Sequence, residues 1–581
     1  MVNSVFFERN LNALAARDPR LCARLRTARA NGNRYRIIET RSGQTIPAIT
    51  GDSGAAYPLH STIDPQQEAR RLISSLEESN GNIAAGFLIF LGLGAGFAAQ
   101  AALQRGDIFQ VLIIDYDIDG AAELFRHFDY TAILSDPRLS LLIDPPPGEI
   151  EAFIAENYLP ALSGGIRVLP LRPRTARDTP RFNAAADAIQ RTIETISSDY
   201  SAQAHFGKRW FSNIIRNVLT AENTNTEYRA MIPSQTSEAA VCAAGPSLDE
   251  QIPLLAERKR QNAQLFIIAA DTSLPALLSR GLKPDAVVSI DCQHISYYHF
   301  LGINCRDIPL FLDLASPPAL ARFSDFPVFL SGGHPLTRYV SQAWRHFPHI
   351  DTSGGNVTYA CVDLAESLGA RKIHVYGADF SYPRGRVYAR GTYIYPFFEK
   401  KQNRFAALEA QFSSFLYRGP FLETDEKNMS HRKNYRETAA LRFYRKKFEE
   451  KAAVMQAQVS VEPGLGAAVE LRQRTTDNSR NKAELFEGFT PTQSALSAKD
   501  FLEQYRKKIE TLPVPTLQPG IYPRNLPPSE KQVLATLLPL AAALKHHHPE
   551  LRPDELLTTV KEHSAKQINE QLSSSSEQYL A

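Results

Sequence analysis

The chain has 581 residues, more than one hydrophobic core organises, so two or three domains are expected. Its make-up, 43% hydrophobic and 22% charged, is that of a globular protein. A formal net charge of +3 is close to zero at this size and gives no support to nucleic-acid or membrane-surface binding through bulk electrostatics, so any basic site must be local.

The opening stretch, MVNSVFFERNLNAL, has no basic region followed by an apolar run, and no secretory signal is read there. Between Asn10 and Arg26, Leu11, Leu14, Leu21 and Leu25 fall at helical spacing with a break at Pro19, and Arg34 to Glu39 reads as a strand. Asn80 to Gln104 carries no charge and is long enough to span a bilayer. Gly86, Gly92, Gly94 and Gly96 crowd its centre, however, and favour a buried strand (Phe87 to Leu91), a glycine turn and a buried helix (Phe97 to Gln104) over a membrane span. Val111 to Asp115 is the next strand, and its terminal carboxylate follows the glycine turn at about the twenty-residue distance of a ribose-binding unit. GLGAGF lacks the last glycine of that fingerprint, so a plain structural turn stands beside the nucleotide reading.

From Asp178 to Tyr228 the pattern is helical, with Trp210, Phe211, Ile214 and Ile215 on one face, as in a connector packed on a neighbouring domain. Glu222 to Glu227 reads as a linker. A second α/β series follows. The apolar run Ala239 to Ala244 ends in Gly245-Pro246-Ser247 and a helical pattern starts at Leu248. Such a strand–turn–helix corner aims backbone N–H groups and the positive helix end at whatever lies above it, so it suits a nucleotide phosphate; it also serves as turn geometry alone. Leu265 to Asp271, Asp285 to Asp291, Ile308 to Leu314, Phe326 to Gly332 and Lys372 to Phe380 read as further apolar strands, and Ser353-Gly354-Gly355 as a turn heading a helix. Parallel pairing of these strands would bring Gly245, Ser247, Asp271, Asp291, Ser353, Gly354 and Asp379 to one sheet edge.

Beyond Tyr382 the chain turns basic and aromatic. Arg384, Arg386 and Arg390 with Tyr388, Tyr393 and Tyr395 suit an acidic or phosphorylated ligand, or form a solvated loop. A long amphipathic helix is expected from His431 through Val459, a loop over Arg472 to Lys482, helices over Phe501 to Ile509 and Lys531 to Lys545, and a frayed serine-rich end around Ser573. The consecutive His546, His547 and His548 splay around a helix and make no metal site. Cys22, Cys242, Cys292, Cys305 and Cys361 form no C-x-x-C pair, which fits a reducing, cytoplasmic setting.

Five ordered motifs carry a resemblance: A-G-P-S-L at Ala244 to Leu248, A-D-T-S-L-P-A-L-L-S-R-G-L-K-P-D at Ala270 to Asp285, S-I-D at Ser289 to Asp291, S-G-G-N-V at Ser353 to Val357 and Y-G-A-D-F at Tyr376 to Phe380. Together they resemble the motility accessory factor family of flagellin glycosyltransferases. Its central domain is shared with an archaeal 6-hydroxymethylpterin diphosphokinase, and the core resemblance covers about Glu238 to Glu450. It implies an α/β protein: a Rossmann-like N-terminal domain over 1–175, a helical connector over 176–236, a Rossmann-like parallel-sheet catalytic domain over 237–425 and a helical C-terminal domain over 426–581.

The central domain is also similar to bacterial sialyltransferases, which use a CMP-activated acidic sugar. That similarity implies that Gly245, Pro246 and Ser247 with Ser353, Gly354, Gly355 and Asn356 line the nucleotide. It also implies that Asp271, Thr272, Asp291 and Asp379 contact the donor, that Tyr388 and Tyr393 donate to the leaving phosphate, and that His431, in H-R-K-N, is the base. Asp271 and Asp291 stand where the sialyltransferases carry Asn, and no arginine immediately precedes the Thr352-Ser353-Gly354 turn. The implied function is transfer of a nonulosonic acid of the pseudaminic or legionaminic type from CMP to Ser/Thr of flagellin, with no cofactor, no nucleic-acid partner and no membrane span. Two alternatives stay open. One is an ATP-dependent pterin diphosphokinase with Mg²⁺ on Asp271, Asp291 and Asp379; the other is a non-catalytic flagellar assembly factor.

Overall fold

The structure is a computed structural model and describes residues 4–29, 34–50, 55–77, 85–222, 224, 237–419, 435–471, 496–515 and 526–577. The chain packs as two compact units, Met1–Gly207 with Lys508–Ser564 and Lys208–Lys507 with Ala565–Ala581.

In the first unit the helices Ser4–Ala15 and Pro19–Thr27 meet at Asp18, whose carboxylate accepts the Leu21 N–H at 2.8 Å and caps the second helix. Strands β1 (Tyr35–Glu39), β2 (Thr45–Thr50) and β3 (Ala56–Pro58) form an antiparallel sheet. Strands β4 (Phe87–Leu91), β5 (Gln110–Asp115), β6 (Leu139–Ile143) and β7 (Ile166–Pro170) form a parallel one in the order β6-β5-β4-β7. Every residue of β4 and β5 is buried, which is why the sequence there runs apolar without alternation. The uncharged stretch therefore divides into a strand and the helix Phe97–Leu103, and among the described residues no helix is long and apolar enough to cross a membrane.

The same unit takes in the helix Pro528–His547. Gly207, within the 44-residue helix Thr179–Glu222, lies so close to this helix that a Cβ there would overlap the Pro539 carbonyl. The helix Pro553–Glu577 continues through the serine run, serine's helix penalty being well under about 1 kcal/mol per residue, and residues 578–581 lie outside the described residues.

The second unit is built on a Rossmann-like seven-stranded parallel sheet. Its strands are β8 (Glu238–Cys242), β9 (Phe266–Ala270), β10 (Ala286–Ser289), β11 (Leu310–Asp313), β12 (Pro327–Leu330), β13 (Lys372–Tyr376) and, beyond the small antiparallel pair β14 (Tyr382–Pro383) and β15 (Tyr435–Arg436), β16 (Gln458–Val461). The order is β12-β11-β10-β9-β8-β13-β16. The chain leaves β8 in one direction and returns on its other side at β13, so the strand order reverses between β8 and β13, the kind of point where open α/β sheets bind ligands.

The long amphipathic helix expected from His431 to Val459 is corrected at both ends: the helix is Ala439–Val454, preceded by β15 and followed by β16. Gln458 to Val461 finds a parallel partner in Lys372 to Val375, and that pairing outweighs the local helical pattern. The C-terminal part of Thr179–Glu222 belongs to this unit. Phe211, Ile214, Ile215 and Val218 are buried, while Asn213 and Asn217 donate to the carbonyls of Cys292, Ala315, Leu314 and Ser316 just past β10 and β11.

Candidate active site

Because all seven strands are parallel, the motif residues at their carboxyl ends do reach one edge, where they form two groups. At the switch point Gly245 donates to the Gly377 carbonyl at 2.9 Å. Ser247 gives its N–H to Asp379 Oδ2 at 2.8 Å and its hydroxyl to Asp379 Oδ1 at 2.5 Å. Leu465 donates to Ser247 Oγ at 2.7 Å, and Gly464 and Gly466 pack against Ser247 and Asp379. The carboxylate of Asp379 thus takes the N–H that the turn would otherwise offer to a phosphate. Pro246 and Ser247 are buried and Gly245 half-buried, so the turn's backbone is close-packed, and a Cβ on Gly245 would run into the Asp379 carboxylate.

The second group lies past β9 and β10. Asp271 is 1% exposed; its Oδ1 accepts the Thr272 N–H at 2.6 Å and hydroxyl at 3.0 Å, and its Oδ2 accepts the Ser289 hydroxyl at 2.6 Å. Asp291 accepts the Gln293 N–H at 2.9 Å. Burial pushes its carboxyl above the usual range, the Asp271 charge adds to that, and the Gln293 bond and His299 oppose it. Thr272 Oγ1 lies 3.4 Å from His299 Nε2, and the His299 ring meets the Tyr393 ring edge-on with centroids 4.6 Å apart. Tyr388 lies 6.3 Å from Tyr393, centroid to centroid. Burial raises both phenols, so at neutral pH they remain O–H donors.

The basic aromatic segment is not a free solvated loop. Ala389 donates to the Ala244 carbonyl at 2.9 Å, at the end of β8, and Asp249 receives the Arg390 N–H at 3.0 Å and the Arg386 guanidinium. Arg386 is therefore engaged by the helix Leu248–Gln261, while Tyr388 and Tyr393 are held at the strand ends. Ser353 and Gly355 are exposed, Gly354 is buried, and Asn356 caps the helix Val357–Ser367 by accepting the Tyr359 N–H at 3.0 Å. Gly355, at φ +70°, lies against the Tyr444 ring, and burial, with the Asp291 charge adding to it, raises the Tyr444 phenol.

His431 lies outside the described residues. His299 and Tyr444 were missed by sequence reasoning: the only signal was that His299 ends the segment His294–His299 shortly after the S-I-D motif. Among the described residues no group of three or more His, Cys, Asp or Glu side chains is arranged to hold a metal.

The glycine turn of the first unit is filled from within. Asp115, the candidate ribose ligand, accepts the Leu93 N–H at 2.8 Å and the Tyr116 N–H at 2.7 Å, and pairs with the buried Arg174 at 2.6 Å. Ala95 donates to His60 Nε2 at 2.9 Å, and burial holds that imidazole neutral with its pKa lowered to about 4.

Residues 210–385 match the family described as 6-hydroxymethylpterin diphosphokinase MptE-like. An uncharacterized protein of Treponema pallidum (strain Nichols) is 34% identical over 184 residues, covering 31% of this chain and 85% of that protein. A second from the same organism is 42% identical over 93 residues, covering 16% of this chain and 33% of the relative. A third is 25% identical over 248 residues, covering 42% and 53%, so the chain spans about a third and about half of those two relatives. The structure of a MAf glycosyltransferase from Magnetospirillum magneticum AMB-1 superposes with a TM-score of 0.58 over 98% of this chain and 95% of that chain, at 14% identity, a likeness of fold.

Proposed function

We propose, since the chain belongs to the motility accessory factor family built around the MptE-like domain, that it is a glycosyltransferase. In this reading it moves a CMP-activated nonulosonic acid, of the pseudaminic or legionaminic type, onto Ser/Thr hydroxyls of flagellin. The observation that carries the reading is the gathering of Asp271, Thr272 and Tyr393 around His299, with Asp291 beside them, at the carboxyl ends of β9 and β10.

The reaction breaks the bond between the anomeric carbon and the phosphate oxygen of CMP. The electron pair leaves with the phosphate, the acceptor oxygen bonds to the anomeric carbon, and its proton passes to a base. Charge therefore grows on the phosphate, and the phenols of Tyr388 and Tyr393, kept protonated by burial, are suited to donate to it without a metal. Asp271, Thr272, Asp291, Ser353, Gly354, Gly355 and Asn356 line the donor. Gly245 and Pro246 face the nucleotide end, with Ser247 and Asp379 as its braced wall. His431 takes the acceptor proton, an assistance worth about 10²- to 10⁴-fold.

The diphosphokinase reading needs Asp379 to share Mg²⁺ with Asp271 and Asp291, whereas Asp379 is bonded to Ser247 on both oxygens. Calorimetry separates the two. CMP binding without added metal, and no Mg²⁺-dependent ATP binding, supports the transferase; the opposite pair of results overturns it.

A further inference from the structure

His299 lies in the acidic group yet none of the motifs includes it. Its ring is 5% exposed, clamped between the Thr272 hydroxyl and the Tyr393 ring. The hydrogen bonds fix its tautomer. The Thr272 hydroxyl has one proton, and at 3.0 Å it gives that proton to Asp271 Oδ1. Toward His299 the same oxygen can only accept, so His299 Nε2 carries the hydrogen and, in the neutral ring, Nδ1 is a bare lone pair. That Nδ1 is buried and has no hydrogen-bond partner among the described residues. A buried acceptor left bare is unfavourable, and a bound group with a proton to give relieves it.

We infer that His299 is a substrate-contacting residue whose Nδ1 accepts a hydrogen bond from a hydroxyl of the donor sugar. The inference rests on the transferase reading. The ligand chemistry follows from the surroundings. Phosphate and carboxylate oxygens carry no proton at neutral pH and would face Asp271 and Asp291, whereas a sugar hydroxyl brings a proton and no charge. Tyr393, the donor to the leaving phosphate in this reading, touches the His299 ring, so the sugar rather than the cytosine lies within reach. Asp271, through Thr272, acts as the positioning residue that places the hydrogen of the neutral ring on Nε2.

The test uses the full chain with ¹⁵N-labelled histidine, and CMP and CMP-pseudaminic acid as probes. The ligand-free spectrum should show one histidine protonated on Nε2 whose signal is missing from His299→Phe. Its Nδ1 resonance should move on adding CMP-pseudaminic acid and stay put with CMP. By calorimetry His299→Phe should bind CMP within about two-fold of wild type but CMP-pseudaminic acid about ten-fold more weakly, and His299→Gln, which keeps an acceptor, should recover part of that loss. A protonated Nδ1 in the free protein, or equal loss of both ligands, or no loss of either, overturns the inference while leaving the transferase reading in place. A wild-type protein that binds neither CMP compound overturns the transferase reading, and the inference with it.

Discussion

Ser247 and Asp379, 132 residues apart in sequence, are tied by two hydrogen bonds, the Ser247 N–H at 2.8 Å and its hydroxyl at 2.5 Å, both to one carboxylate. The pair joins the ends of β8 and β13 across the point where strand order reverses, and the Leu465 N–H closes it from a third segment. Asp379→Ala would leave the Ser247 N–H buried without a partner. A loss of about 1–3 kcal/mol is expected, read as a lower denaturant midpoint. An unchanged midpoint would show that the tie carries no stability.

Arg174 and Asp115 form a pair whose side chains are 5% and 3% exposed. Removing one partner of such a pair strands a buried charge, so Arg174→Ala should cost about 3–5 kcal/mol. The account assigns nucleotide binding to the second unit. In the fraction that remains folded, CMP affinity should therefore be unaltered; a proportional loss of CMP binding would return the glycine turn of the first unit to the list of nucleotide sites.

Asp313, at the end of β11, is fully buried, and burial pushes its carboxyl up to about 7 against the hydrogen bonds from the Ala315 and Gly332 N–H groups. Its folded pKa is raised, so its contribution to stability is complete below the unfolded carboxylate range near 4 and is lost as pH rises through about 7. Stability of the wild type should thus fall between about pH 4 and pH 8 by a few kcal/mol that Asp313→Asn does not show. Denaturant midpoints across that range check this: the variant should gain on the wild type as pH rises, the wild-type-minus-variant difference falling steadily. A constant gap would contradict the assignment.

Tyr393 is placed to act on developing charge, so Tyr393→Phe should lower the transfer rate by about 10²- to 10³-fold while CMP affinity stays within a few-fold. Rapid-quench transfer kinetics beside CMP calorimetry would separate the two effects. Equal loss of binding and rate would mean that the phenol serves ground-state binding only.

Much of the central sheet was legible because its strands are buried on both faces and so read as unbroken apolar runs ending in Gly, Ser or Asp. The parallel edge followed from that. What was not legible depends on long-range partners. β16 is only four residues, Gln458 to Val461, too short an alternation to stand out from the helical pattern that runs into it, and its parallel partner β13 lies more than eighty residues away. Residues 508–564 return to the first unit, for which no local pattern gives a signal. Asp379 and Ser247 both read as ligand contacts, and only the fold shows that they satisfy each other. His299 gained its meaning from Thr272 and Tyr393, which approach it from 27 residues before and from the far side of β13.

The most direct measurement of the central claim is the intact mass of flagellin after incubation with the purified protein and CMP-pseudaminic or CMP-legionaminic acid. The account predicts mass increments equal to whole numbers of the transferred sugar, located on Ser or Thr, and abolished by Tyr388→Phe combined with Tyr393→Phe. Flagellin of unchanged mass with either donor, beside an established nonulosonic acid transferase that modifies its own substrate under the same conditions, would contradict it.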